Sequence, residues 1–405
     1  MRGKKMDGFP TREQALKDFF ESWSCTEEIE YLPLEEAAWR VTARALHSVN
    51  TLPVVRSSAC DGIAVDAARF AGGVPDYTGW KLGEDFVRAD TGDDFDDRFD
   101  AVIPIEEADL EGDRLVFLSP DLDIKPGSNV NPRGSTIREG ELLVEANLPL
   151  RPVDLAALAM GGIAVVPVRK RPKVAFLPTG SELVPPQVRP ARGQNVDTNS
   201  VMVRHQLVRM GAEPLIFPIT SDDPEALRRR LREALAMADL VILNAGTARG
   251  GEDFSVSLLE EEGKLIHHYV AAAPGRPMAL AVIDGKPVIN LPGPSLAAFF
   301  GMNWCVRAVI NRFLHLPMQR RPRIRGVLME DIRTNPNMAI LCKLRVEAED
   351  GEYRFYPLSF HSGTMPQCLT SSAMYVSDVG ESLMEKGSVI EAELLRDASC
   401  LEGGA

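Results

Sequence analysis

The chain has 405 residues, 45% hydrophobic and 25% charged, the balance of an ordinary soluble globular protein and a length that calls for several domains. A formal net charge of -13 excludes general nucleic-acid binding, which needs a basic face to neutralise phosphates, but leaves room for a local pocket that takes a small anion. The basic N-terminus "MRGKKMDGFPTREQALKDFF" lacks the apolar stretch of a signal peptide, and the longest apolar run, "LAALAMGGIAVVPV", is too short to span a bilayer, so a cytoplasmic protein without membrane attachment is expected.

Thr11 followed by Gln14 is a capping-box pattern and predicts a helix over "TREQALKDFFESW". "EEAAWRVTARALHSV" reads as a second helical stretch, ended by Pro53. From 54 to 144, short apolar runs such as "DAVIPIEEA" and "RLVFLS" are separated by Gly, Asp and Pro, the texture of a β-rich insertion. "PVDLAALAMGGI" returns to helix, with Pro152 near its start and a Gly pair at its end. "RKRP" (169–172) reads as an interdomain linker. Strands and helices then alternate. The strand of "PKVAFLPTGSEL" precedes a helix near "NSVMVRHQLVRMG" and the strand "EPLIFPI". The helix "DDPEALRRRLREALAMA", its arginines on a solvated face, precedes the strand "DLVILNAG" and the helix "DFSVSLLEEEG". Strands at "KLIHHYV" and "PVINLPG" and the helix "PSLAAFFGMNWCVRAVINRF" complete the series. Such alternation specifies an α/β domain with a mainly parallel sheet, whose ligands bind at the carboxyl ends of its strands. "MAILCKLRVEAEDGEYRFYPLS" reads as a hairpin turning at "EDGE" in a small C-terminal β domain. The expected boundaries are 10–52 and 145–172 for a helical, segment-swapped domain, 53–144 for the insertion, 173–315 for the α/β domain and 316–400 for the C-terminal β domain.

Six cysteines, at 25, 60, 305, 342, 368 and 400, form no C-x-x-C pair and fit a reducing cytosol better than a disulfide framework. The six histidines show no ligand spacing and read as surface or structural groups. Three polar turns carry the candidate chemistry: "PTGSELV" (178–184), "NAGTARGGEDF" (244–254) and "LPGPSLAAF" (291–299). Glycine lets backbone N–H groups approach an anion, and Thr179, Ser181, Thr247 and Ser295 add hydroxyls. The plainer reading is three tight turns with capping hydroxyls. The acidic candidates are Glu182, Asp222, Glu252 and Asp253, and carboxylates beside a phosphate-binding turn ask for a divalent metal between them. Asp222 also reads as a helix N-cap before Pro224 and Glu225, and Asp253 starts a helix. In the insertion, Asp61-Gly62 interrupts a near-apolar stretch, an uncommon place for an Asp.

The ordered segments "SSACDGIAV", "ADTGDDFDDRFDAVIPIEEA", "PKVAFLPTGSELV", "GQNVDTNSVMV", "NAGTARGGEDF" and "AAPGRPMALAVIDGKPVINLPGPSLAA" resemble those of the MoeA family, which includes the gephyrin E domain. The likeness spans roughly residues 10 to 400. It implies a central α/β domain of the molybdopterin-binding type, with the helical, inserted β-rich and C-terminal β domains around it. It implies a homodimer, with a site between the α/β domain of one subunit and the inserted domain of the other. The implied reaction consumes adenylylated molybdopterin and molybdate with Mg2+ and releases AMP and molybdenum cofactor. Apo-molybdoenzymes and the adenylyltransferase of the pathway are the further implied partners. On this resemblance Asp61, Thr91, Glu182, Asp222 and Asp253 fall on catalytic positions, with Glu182, Asp222 and Asp253 as Mg2+ ligands. Thr179, Gly180, Ser181, Gly246, Thr247, Arg249, Gly250, Pro274, Gly275, Arg276, Pro292, Gly293 and Ser295 fall on substrate-binding positions.

The chain departs from the family's pattern. The Lys before its P-G-K-P is Ala273, and the Asn and second Pro of L-P-G-N-P are Pro294 and Ser295. The Asp of S-T-G-D-E is Ser181, the G-E-D of the insertion is Gly134-Ser135-Thr136, and the second Gly of T-G-G is Ala245. Without the Lys, a molybdate dianion lacks its usual counter-charge. Arg249 and Arg276 are the candidate replacements, through forked donors, and the alternative for Arg249 is a surface pair with Glu252. Two readings stay open: a molybdenum-inserting transferase, or a paralogue that binds or carries molybdopterin or the finished cofactor.

Overall fold

A computed structural model describes residues 8–245, 254–318, 320–349, 351–358, 366–397 and 401. The chain forms two compact units, Ile29–Val168 and Met1–Glu28 with Arg169–Ala405. Among the described residues, no helix is long and apolar enough to cross a membrane. The five cysteines described are free thiols.

In the unit Ile29–Val168 the second expected helix does not form. Only a 3-10 turn, Leu34–Glu36, is helical there. The following backbone finds extended partners instead: Trp39 N–H donates to Leu150 O (2.8 Å), Thr42 N–H donates to Leu148 O (3.0 Å), and Val41 bridges Pro149. The β-branched Val41 and Thr42 suit that pairing, and Trp39, at φ 63°, leaves the helical region. The helix at Pro152–Met160 does form. Asp154 accepts the Arg151 N–H at 2.8 Å and Gly161 ends it, over a core of Leu150, Leu158, Val166 and Val168. The insertion is β-rich, as its texture predicts. Gly62–Val65 runs between Phe86–Ala89 and Ala101–Pro104, antiparallel to both, over a core of Ile63, Val65, Phe70, Phe86 and Ile103.

In the other unit, α1 (Arg12–Ser22) starts where expected, Thr11 accepting the Gln14 N–H at 3.2 Å. The box is not closed, because the Gln14 amide reaches forward to Asp18 at 2.6 Å. Arg169 is not linker: it is 5% exposed, ends the strand Val165–Arg169 and is ion-paired with Glu27. The α/β sheet contains β1 (Lys173–Thr179), β2 (Glu213–Ile216), β3 (Leu240–Ala245), β4 (Lys264–His268), β5 (Ala279–Ile283) and β6 (Lys286–Pro292), in the order β2-β1-β3-β6-β5-β4. The first four of that order are parallel; β5, unassigned by the sequence reading, and β4 close one edge antiparallel. The helices are α2 (Asn199–Arg209), α3 (Pro224–Met237), α4 (Phe254–Glu262), α5 (Ser295–Gly301) and α6 (Arg307–Leu314), the last two joined by a π turn, Met302–Val306.

One face of the sheet buries Leu177, Val241, Leu243 and Val288 against Leu227 and Leu231 of α3 and Leu259 of α4. Each such side chain contributes about 1.5–3 kcal/mol. The α3 arginines are not merely solvated: Arg228 Nη1 donates to Glu262 Oε1 at 2.6 Å and ties α3 to α4. In the C-terminal β domain, Ala339–Glu349, Glu352–Pro357, Arg323–Leu328, Val389–Leu394 and Ala373–Val376 pair in that order. The last strand returns to the first, so the sheet closes on itself around Leu328, Leu344, Phe355 and Ile390.

Candidate functional site

The parallel strands set the frame. Register places Thr179 opposite Ala245 and Ala245 opposite Pro292, so β1, β3 and β6 end in one row. Beyond that row Gly180, at φ 153°, donates its N–H to Thr220 O (3.0 Å). A β-carbon there would lie 2.7 Å from Glu182 Oε2, so the Glu182 carboxylate folds back over this backbone and only glycine leaves it room. Ser181 N–H donates to Asp222 Oδ2 at 2.9 Å, and Asp222 N–H donates to Ser181 Oγ at 3.1 Å. This reciprocal clamp holds the turn after β1 to the turn after β2. Asp222 is therefore not the helix cap. Asp223 caps α3, accepting the Ala226 N–H at 2.7 Å.

Further along the row an amide network replaces carboxylates. Asn244 Nδ2 donates to Pro292 O at 2.8 Å, and its Oδ1 accepts from Asn199 Nδ2 at 2.8 Å. Asn199 Nδ2 also donates to Gly293 O at 2.8 Å, and the Thr198 and Ser295 hydroxyls lie 2.7 Å apart. Asn244 is 3% exposed, while the buried Asn199 Oδ1 has no partner among the described residues. Neither residue was singled out from the sequence. The available signal was an Asn inside the apolar strand "DLVILNAG", where β propensity disfavours it.

Pro274, Gly275 and Arg276 lie between the short strand Ala272–Ala273 and β5. A β-carbon on Gly275 would sit 3.8 Å from Ala297 O, so this loop lies against the first turn of α5, next to Ser295. Ala272 and Ala273 pair in parallel with Ala339 and Ile340 of the C-terminal domain. Arg276 is exposed, its guanidinium 5.8 Å from the Tyr269 ring centroid. Gly246, Thr247, Arg249, Gly250, Glu252 and Asp253 lie outside the described residues. Among the described residues no three His, Cys, Asp or Glu converge on one metal position. Glu182 and Asp222 are the described members of the expected Mg2+ set, and their hard oxygen donors suit that ion.

The unit Ile29–Val168 contains Asp61 and Thr91. Asp61 Oδ1 accepts from both the N–H and the Oγ1–H of Thr91, each at 2.7 Å. The backbone donor first, then the hydroxyl, holds the Asp61 carboxyl below the ordinary carboxylate range. The same unit has an open cavity of about 540 Å³ lined by Gly134, Ser135, Thr136, Arg138, Glu139 and Glu141. It includes the Gly-Ser-Thr stretch that departs from the G-E-D pattern.

Residues 11–162 match the family described as MoeA N-terminal region (domain I and II), and residues 175–312 match a probable molybdopterin binding domain. Molybdopterin molybdenumtransferase of Haemophilus influenzae is 30% identical over 324 residues, 77% of this chain and 80% of that protein. Its Bacillus subtilis namesake is 26% identical over 392 residues, 91% of this chain and 90% of that protein. Among solved structures, the molybdopterin biosynthesis moeA protein of Pyrococcus horikoshii matches with a TM-score of 0.79 at 25% identity, over 96% of this chain and 100% of that one.

Proposed function

Because the chain belongs to the molybdopterin molybdenumtransferase (MoeA) family, we propose that it inserts molybdate into adenylylated molybdopterin and releases AMP, as an enzyme of molybdenum cofactor biosynthesis. The observation that carries this reading is the common row formed by the ends of β1, β3 and β6. It gathers the Glu182 carboxylate and the clamped Asp222 carboxylate at one side, and the Asn199–Asn244 amides with the Thr198–Ser295 hydroxyls at the other.

In this reading the hydroxyls of Ser181 and Ser295 and the backbone N–H groups of Gly293 and Ser295 hold the phosphates, with Thr179–Gly180 and Pro274–Arg276 beside them. Gly246, Thr247, Arg249 and Gly250 supply the third turn. Glu182 and Asp222, with Asp253, would hold Mg2+, which neutralises charge on the phosphoanhydride when bound. The Ser181–Asp222 clamp fixes one carboxylate before substrate arrives, which spares reorganisation at the moment of reaction. Asn199 and Asn244 keep the backbone of Pro292 and Gly293 in place. Asp61, kept ionised by Thr91, is the inserted domain's own catalytic carboxylate in this reading. The protein acts as a homodimer in this reading.

The test is AMP release from adenylylated molybdopterin in the presence of molybdate, with a chelator added and then excess Mg2+ restored. Release is expected to stop with the chelator and return with Mg2+. Asp222→Asn is expected to lower the rate at least tenfold, the scale of one lost charged contact. Chelator-insensitive release would remove Mg2+ from the account, and full activity in Asp222→Asn would remove that carboxylate.

A further inference from the structure

A separate group of charged side chains lies away from the strand ends. Arg307 opens α6, twelve residues after Ser295, so a helical rise puts it roughly 18 Å along from the turn at β6. Arg209 ends α2, which packs beside α5. Arg321 precedes the strand Arg323–Leu328 that enters the C-terminal domain. Arg321 Nη2 donates to Asn303 Oδ1 at 2.6 Å, and Asn303 belongs to the π turn Met302–Val306 immediately before Arg307. Arg307 and Arg209 form no hydrogen bond or ion pair through their guanidiniums among the described residues. Burial, then Arg321 and Arg209, weaken proton binding at Arg307; burial and Arg209 do so at Arg321. The acid acting on Arg321 is Glu393, and its Oε1 lies 3.4 Å from Arg323 Nη2.

Arg209 and Arg307 have no carboxylate partner among the described residues, in a chain with 58 acidic residues. Half-buried Arg307 and Arg321 and the exposed Arg209 bring three positive charges to this end of the packed helices, and a bound anion would relieve the cost of holding them together. We propose that Arg209, Arg307 and Arg321 form a second anion site, apart from the strand-end turns, that takes a phosphate-type dianion. Guanidinium forks pair with phosphate oxygens two at a time. The π turn fits the same purpose, since such turns recur where a helix serves function, and here it sets Asn303 against Arg321. The set contains no acid, hydroxyl or thiol, so it binds without chemistry. Free pyrophosphate and the phosphates of a nucleotide share this chemistry.

The test is calorimetric titration of the full chain, without Mg2+, with pyrophosphate and separately with ADP. The wild type is expected to show a pyrophosphate-binding event that Arg307→Met and Arg321→Met each weaken at least tenfold, the loss of one charge-assisted contact. AMP release by the same variants is expected to be unchanged. Without anion, Arg307→Met is expected to melt no lower than wild type, because removing it relieves repulsion. Parallel loss of ADP binding assigns the site to nucleotide phosphates, and loss of pyrophosphate alone assigns it to the free anion. No pyrophosphate binding by wild type, equal affinity in both variants, or a lower melting temperature for anion-free Arg307→Met would overturn the proposal.

Discussion

At the scale of single residues, two glycines show what a missing side chain allows. A β-carbon on Gly62 would lie 2.1 Å from Ile103 O in the neighbouring strand, which explains the glycine after Asp61. Gly180 leaves its space to the Glu182 carboxylate. Gly180→Ala is expected to displace Glu182 and reduce AMP release at least tenfold; a steady-state rate equal to wild type would contradict this. Asp61 gives a pH prediction. Its carboxyl titrates below the ordinary carboxylate range when folded, so its contribution to stability is present above the ordinary value and is lost as pH falls through the lowered one. Thr91→Val removes the hydroxyl donor but keeps the N–H, so the Asp61 titration followed by NMR should move upward toward the ordinary range. An unmoved titration would show that the hydroxyl contributes nothing. The pairing of Asp61 with Thr91 joins two positions that motif order had singled out. The role of Asp222 was not legible: it reads as the cap before Pro224, and only the path of the turn after β2 shows that Asp223 caps α3 while Asp222 turns to Ser181.

At the scale of elements, the α/β alternation was legible because buried strands and capped helices differ in period and in their end residues. The failure at 35–49 has a physical cause. Its apolar spacing suits a helix, yet its backbone partners at Leu148 and Leu150 lie about a hundred residues away, out of view of any local pattern. The amide network was hidden for the same reason, since Asn199, Asn244 and Gly293 come together only once three elements pack. Asn244→Ala removes donors to Pro292 O and leaves Asn199 Nδ2 short of an acceptor in a buried setting. It is expected to cost about 1–3 kcal/mol in chemical denaturation, and a change below the error of that measurement would show the network to be dispensable. α1 is held in part by Asp18 Oδ2, 2.7 Å from His267 Nε2. The hydrogen bond from His267 is the largest cause that lowers the Asp18 carboxyl, so this support is present above the ordinary carboxylate range and fades as pH falls through the lowered value. Hydrogen exchange in α1 should rise over that acid window in wild type, and in His267→Ala it should already be raised at neutral pH.

At the scale of the whole molecule, the family assignment joins the two compact units into one proposed enzyme. Trp39 is a large apolar side chain left 65% accessible, and the proposed dimer would cover it. Sedimentation equilibrium should give twice the mass of the chain, and Trp39→Glu should shift it toward one chain; a monomeric wild type would contradict the dimer. The departures at Ala273, Pro294 and Ser181 make turnover the central question, because a site can retain its turns and clamps and still only hold a ligand. One reaction tests this most directly: the full chain with adenylylated molybdopterin, Mg2+ and molybdate, quantifying AMP released and molybdenum transferred to the pterin together. The account predicts equal amounts of both, exceeding the amount of protein and absent without molybdate. Tight binding of adenylylated molybdopterin with neither AMP released nor molybdenum transferred would contradict it and leave a carrier.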